Sequence, residues 1–290
     1  MKHSKLALGT VQLGLDYGIN NKRGKIPEKE SASILGAAFA AGIDTLDTAG
    51  AYGDSEKVIG NYFKRTGQNF RVMSKFASGD AENINKAFSR SLANTGVSSF
   101  YGYLLHHFED YRKNPEIWDD LQLLRDQGHT AKIGFSLYLE EELDYLREKD
   151  LKIDLLQVPY SIFDRRFEKY FQPLHEAGIE IHTRSVFLQG LAFKAPEELD
   201  MHFDRIKEKI ARLRQLAKIN NISVTGLCLN FALANEWLDK VIVGVDNRQN
   251  LEEIIGAQKY QLAVKNIKAQ LSGMREDDEN ILLPYRWKTS

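Results

Sequence analysis

"IDTLDTAGAYGDSEKVIG", residues 43–60, begins as an apolar run and ends that run in a carboxylate, Asp47. Five residues later Tyr52 stands in a Gly-flanked loop. Packing alone does not ask a strand to end in an acid and hand over to an exposed phenol. A catalytic site at the mouth of a barrel does, because strand C-termini in such a barrel open into the site.

The same apolar run recurs along the chain. "KLALGT" (5–10), "GIDTLD" (42–47), "FRVMSK" (70–75), "FYGYLLH" (100–106), "AKIGFS" (131–136), "IDLLQV" (153–158), "IEIHTR" (179–184) and "KVIVG" (240–244) make eight. Amphipathic segments separate them, such as "EKESASILGAAFAAG" with Ile34, Leu35, Ala38 and Phe39 on one face. "AENINKAFSRSLANTG", "PEIWDDLQLLRDQG" and "EEELDYLREKD" read the same way, and several end in Gly, a helix stop. Repeated strand-then-helix order implies a parallel sheet with right-handed crossovers. Eight such units in 290 residues favour a closed (β/α)8 TIM barrel, a single domain, over an open doubly wound sheet. A dinucleotide-binding open sheet would show G-x-G-x-x-G after its first strand, whereas "GTVQLGLDYG" follows here.

The barrel core spans about residues 5–260, and a C-terminal tail, 261–290, docks on it through Ile281, Leu282, Leu283, Tyr285 and Trp287. Between the last two strands lies more chain than one crossover needs, enough for two helices and a loop over the C-terminal face. Only five residues precede Leu6, so the bottom closure is short or comes from elsewhere, with the docked tail as a candidate.

Composition narrows the functional classes. Hydrophobic residues at 43% and charged residues at 27% are ordinary for a soluble globular protein. A formal net charge of −1 gives no reason to expect nucleic acid or an anionic membrane as partner. A single cysteine, Cys228, excludes an internal disulfide and suits a reducing compartment. With no long apolar stretch in "MKHSKLALGT" and no segment of about 20 apolar residues, a cytoplasmic protein is expected. Nothing here sets an oligomeric state.

Strand ends two, three and four carry Asp47 with Tyr52, then Lys75, then His106. Each has an ordinary reading: a turn or cap acid, a packed loop tyrosine, a solvated lysine, a loop histidine. Together on one rim they suit carbonyl reduction by hydride. As hydride reaches the carbonyl carbon, charge grows on oxygen and a proton must arrive there. A phenol of ordinary pKa near ~10 is a weak acid at neutral pH. An adjacent ammonium lowers that value, and a carboxylate holds the ammonium. Tyr52 is then the donor, Lys75 the tuner, Asp47 the anchor, and His106 the group that orients the carbonyl.

At this point the chain resembles the aldo-keto reductase family. "GTVQLG" (9–14), "GIDTLDTAGAYGDSEKVIG" (42–60), "SKF" around Lys75, "YLLHHFED" (103–110), "AKIGFS", "QVPYSIFDRR" (157–166) and "RSVFLQG" (184–190) run in family order from about Leu6 to Glu253. The resemblance implies the barrel, a nicotinamide dinucleotide at its C-terminal rim, and the tetrad at Asp47, Tyr52, Lys75 and His106. His107 falls where many members have Trp, a substrate-pocket position. Gly9 and Thr10 fall on the cofactor rim. Ser136 and Gln157 match residues that hold the nicotinamide carboxamide, although the intervening Asn is Leu137 here. Arg184 replaces the ring-stacking tyrosine of many members and could stack on the nicotinamide or pair with an acid at the rim. Ser185, Leu188 and Gly190 fit the pyrophosphate loop. Gly244, Arg248 and Glu253 follow the last strand, with Asp246 where a phosphate-reading basic residue often sits. NADP(H) is the implied cofactor over NAD(H), weakened by Asp246 and supported by Arg248.

Other chemistries lack their motifs. There is no G-x-x-x-x-G-K-[ST], no C-x-x-C pair, no H-E-x-x-H and no G-x-S-x-G. The remaining histidines are His3, His129, His175, His182 and His202; alternation separates His182 from strand four, and no catalytic metal is expected. The reading is an NAD(P)H-dependent reductase of a small-molecule aldehyde or ketone. Its alternatives are a sugar or alcohol dehydrogenase working in the oxidative direction and a nicotinamide-binding redox-sensor subunit. Asp16, Tyr17, Asn20, Asn21, Lys22, Arg23 and Lys25 in the long first loop hint at a hydroxylated or anionic substrate such as a sugar derivative.

Overall fold

Each of the eight apolar runs becomes one parallel strand. They are β1 (Leu6–Gly9), β2 (Thr45–Asp47), β3 (Arg71–Phe76), β4 (Gly102–Leu105), β5 (Ile133–Ser136), β6 (Leu155–Pro159), β7 (Glu180–Arg184) and β8 (Lys240–Val243). Each pairs with its neighbour in sequence, and β1 pairs with β8, so the barrel closes. The computed structural model describes residues 4–21, 23–78 and 83–287, which leaves His3, Lys22 and the start of "AENINKAFSRSLANTG" outside the described residues.

Why the strands read as continuous apolar runs follows from closure. Outward side chains meet the helices and inward ones meet each other, so both faces are buried. Inside, Met73, Leu104 and Leu155 form a small core of their own, two residues before Lys75 on β3, His106 just past β4 and Gln157 on β6. Outside, Ile34, Leu35 and Ala38 of the helix Glu28–Ala40 are buried as expected. Phe39 is only partly covered, lying edge-on to Phe70 at 5.5 Å. Gly42, Gly96 and Gly128 end their segments with left-handed φ, the conformation expected of a glycine stop.

Extra chain between β7 and β8 folds as turns over residues 185–203 and two helices, Asp204–Ile219 and Val224–Leu233. Against them docks the tail: Trp287 packs edge-on to Phe203 at 5.2 Å and donates its indole N–H to the Ile281 carbonyl. Ile281, Leu282, Leu283 and Trp287 are buried, whereas Tyr285 is 60% exposed.

That docking corrects the idea that the tail closes the barrel bottom. The strands close it themselves with polar side chains at their N-terminal ends. Tyr101 donates to Glu180 Oε2 at 2.7 Å, His182 Nε2 lies 2.6 Å from Glu180 Oε1, and Lys132 pairs with the same carboxylate. Lys240 bridges Asp44 and the Ser4 carbonyl, each at 2.6 Å. Among the described residues, no helix is long and apolar enough to cross a membrane.

Candidate active site

At the C-terminal rim a cavity of about 910 Å³ runs from Tyr17, Asp47, Tyr52, His106, Tyr138 and Arg184 past Gly9, Thr10 and Gln12 to Gly244, Asp246 and Glu253. Two pieces of backbone set its reacting end. β2 stops at Asp47, and Tyr52 follows in a turn in which its N–H donates to the Ala49 carbonyl at 3.0 Å. Beneath that turn runs Gly14, where an added Cβ would lie 1.8 Å from the Tyr52 carbonyl oxygen, so only glycine lets the two segments touch. Thr10, Thr48 and Ser55 tie the base together: Ser55 donates to Thr10 Oγ1 at 2.8 Å, and Thr10 to the Asp47 carbonyl at 2.9 Å.

All four expected catalytic residues meet here. Lys75, 1% exposed, places Nζ 2.8 Å from Asp47 Oδ2, 2.9 Å from the Thr48 carbonyl and 3.5 Å from the Tyr52 hydroxyl. His106 lies just past β4 and meets the Tyr52 ring edge-on at 5.5 Å. The other Asp47 oxygen accepts from Gln157 Nε2 at 2.7 Å, across the barrel. A buried ion pair is stabilising only when its remaining polar atoms are satisfied, and here Thr48 and Gln157 satisfy them.

Electrostatics refine the expected roles. Burial, then the Asp47 charge, push the Tyr52 phenol well above its ordinary value, and Arg184 acts against them. The net direction is therefore opposite to the lowering expected from Lys75. Lys75 itself is lowered by burial, with Asp47 opposing. Burial, then Lys75, His107 and Arg184, hold His106 well below its ordinary value, so it is a neutral hydrogen-bonding imidazole at pH 7. Its Nδ1 is buried without a partner among the described residues.

Sequence-expected cofactor positions divide. Gly9, Thr10, Ser185, Gly190, Gly244 and Glu253 all line the cavity. Ser136 and Gln157 are buried behind its wall, with Gln157 engaged by Asp47. Leu188 is fully buried in the turn after β7. Arg248 is exposed and turned away, bonded to Glu252 at 2.7 Å and to Ser33 at 3.1 Å. His107 does not reach the cavity as a pocket residue: it is exposed and stacks on His106 at 4.7 Å. Among the described residues Arg184 pairs with no acid at the rim; its guanidinium carbon sits 4.0 Å from the centre of the Tyr138 ring.

A nicotinamide dinucleotide fits this wall. The cavity is long enough to connect the tetrad with the β8 end, where the buried Gln12 Oε1 lacks a partner among the described residues. At the far end Thr225 donates to Glu253 at 2.6 Å, and Asp246 stands in the wall, its pKa raised by burial with Gln12 acting against that. Among the described residues, no three His, Cys, Asp or Glu side chains gather as a metal site.

Comparison with known proteins agrees with this geometry. The model of the Aldo/keto reductase family matches residues 5–270. The chain belongs to that family. Its relatives include aldo-keto reductase str7 of Strobilurus tenacellus, 25% identical over 91% of this chain and 85% of that one. Another is aldo-keto reductase yakc of Schizosaccharomyces pombe, 24% identical over 91% of this chain and 86% of its own, and named for NADP(+). Among solved structures, the holo form of aldo-keto reductase AKR11C1 from Bacillus halodurans superposes with a TM-score of 0.68 at 21% identity, covering 91% and 92% of the two chains. This aldo-keto reductase is thus an oxidoreductase of the nicotinamide-dependent, carbonyl-reducing class.

Sequence reasoning missed several residues of the site, Gln12, Tyr138 and Tyr285 among them. Gln12 was only part of a quoted motif, Tyr138 carries no signal beyond being two residues past Ser136, and Tyr285 was assigned to packing. In the structure Tyr285 lines the cavity mouth, edge-on to Tyr138 at 5.5 Å.

Proposed function

We propose that this aldo-keto reductase reduces a small aldehyde or ketone to an alcohol, with Tyr52 as the general acid. The observation that carries the reading is the buried Asp47–Lys75 pair with its ammonium 3.5 Å from the Tyr52 hydroxyl at the reacting end of the cavity. A bound reduced nicotinamide supplies hydride to the carbonyl carbon. Tyr52 donates its phenolic proton to the carbonyl oxygen, where negative charge develops. Its raised pKa keeps that proton in place at neutral pH, and Lys75 stabilises the phenolate left behind. Asp47 fixes the ammonium, Gln157 fixes Asp47, and neutral His106 donates a second hydrogen bond to the carbonyl.

NADP(H) is the cofactor we assign on the family pattern. Asp246 in the cavity wall and Arg248 turned away from it favour NAD(H) as the second reading, since an acid repels a 2′-phosphate. We place the enzyme in the cytoplasm and keep a sugar derivative among its substrates. A redox sensor needs no proton relay, so the assembled tetrad supports catalysis over sensing. The test is a panel of aldehydes, ketones and sugars with each cofactor, following nicotinamide absorbance. Consumption of reduced cofactor with an aldehyde or ketone is expected. Tight cofactor binding with no turnover on any member would favour the sensor instead.

A further inference from the structure

Arg184 brings a guanidinium to the reacting end of the cavity, and among the described residues no acid bonds to it directly. Its guanidinium lies on Tyr138, with Nη2 donating to the Leu137 carbonyl at 2.9 Å and Nη1 to Ser185 Oγ at 3.3 Å. Among the described residues, those two bonds leave three of its five N–H groups, including a buried Nε, without a protein partner. The acids nearby are engaged elsewhere. Asp47 is held by Lys75 and Gln157, and Glu142 accepts the N–H groups of Tyr138 at 2.7 Å and Leu139 at 3.0 Å.

We infer that the substrate carries one carboxylate, which Arg184 receives while Tyr52 and His106 hold the carbonyl oxygen. This rests on the carbonyl-reductase reading above. A planar guanidinium clamped on an aromatic ring matches a carboxylate bidentately and loses little rotamer freedom in doing so. A reduced nicotinamide dinucleotide bound at this end would supply the hydride. In the step itself a C–H bond forms at the carbonyl carbon as the C=O π bond breaks. The oxygen takes the Tyr52 proton, and the product is a hydroxy acid with its carboxylate unchanged.

The experiment compares 4-formylbenzoate and 4-oxobutanoate with their methyl esters, using NADPH and NADH, for wild type, Arg184→Gln and Arg184→Lys. In wild type the acids are favoured by about tenfold or more in kcat/KM, the scale of a charge-assisted hydrogen-bonded pair. Arg184→Gln brings the acid-to-ester ratio toward one, chiefly through KM, and Arg184→Lys retains part of it. Calorimetric titration with 4-(hydroxymethyl)benzoate and its methyl ester follows the same order, and melting temperatures show that the variants fold. Equal use of acid and ester by wild type, or a preference that Arg184→Gln leaves intact, overturns the inference while the reductase reading stands. Failure to reduce any carbonyl compound with either cofactor overturns the reading beneath it.

Discussion

Tyr52 is a phenol that burial makes a weaker acid, beside an ammonium that makes its anion tolerable. Both features are needed by one reaction, because the group must hold its proton until the carbonyl oxygen becomes basic. The pH dependence follows from the two directions. Tyr52 is raised above its ordinary value and stays protonated; His106 is lowered below its own and stays neutral. Reductive kcat/KM should therefore be flat from about pH 6.5 to about pH 9, with any alkaline limb belonging to the coupled Lys75–Tyr52 pair. A limb near pH 6.5 in the reductive profile would mean that His106 ionises in the working range. Lys75→Met removes the ammonium, so the oxidative profile, which needs the phenolate, should move to higher pH. Asp47→Asn should shift it the same way but less. Either change unpairs a buried ion and costs about 3–5 kcal/mol of stability, so each profile is taken on protein whose melt has been recorded. An unchanged oxidative profile in Lys75→Met would leave the lysine no part in tuning the phenol.

At the level of elements, the strand-to-loop junctions were legible and their supports were not. β2 ending in Asp47 and β4 ending beside His106 could be read because an apolar run followed by a polar residue locates a strand end. Gln157 could not be assigned its hold on Asp47, since that bond joins residues 110 apart across the barrel interior. Arg184 could be placed at the rim, but its partner Tyr138 comes from another loop. Gly14 is such a hidden support. Gly14→Ala would force its methyl group against the Tyr52 turn, so turnover should fall at least about tenfold while cofactor affinity changes much less. Equal loss of both would mean that the turn is not what Gly14 holds. At the β8 end the elements argue over the phosphate. Asp246→Ala should tighten NADPH more than NADH in a fluorescence titration, whereas Arg248→Ala should change neither, because that side chain is turned away. Equal tightening of both dinucleotides by Asp246→Ala would show that the acid does not read the phosphate.

Over the whole molecule, strand order and closure were readable from eight repeats of one pattern, because parallel crossovers leave few topologies. What sealed the bottom was not, since charged residues at strand starts look like ordinary solvated termini until the barrel brings them together. Glu180 shows the consequence. Burial raises its pKa, but His182, Lys132 and Tyr101 outweigh that and hold it at about 2. A depressed carboxylate contributes stability above its unfolded pKa and loses it as pH falls through the folded one. Wild type should thus melt well above Glu180→Gln near pH 5, and the two melting temperatures should converge as pH approaches 2. A constant gap would remove Glu180 from the acid sensitivity of the fold. The barrel, however, frames the proton that we assign to Tyr52. The most direct test is Tyr52→Phe, measured by single-turnover hydride transfer on a carbonyl substrate that wild type reduces, with cofactor affinity titrated alongside. The rate constant should fall by roughly 10²-fold or more with cofactor affinity nearly unchanged, whereas hydride transfer at the wild-type rate would contradict Tyr52 as the acid.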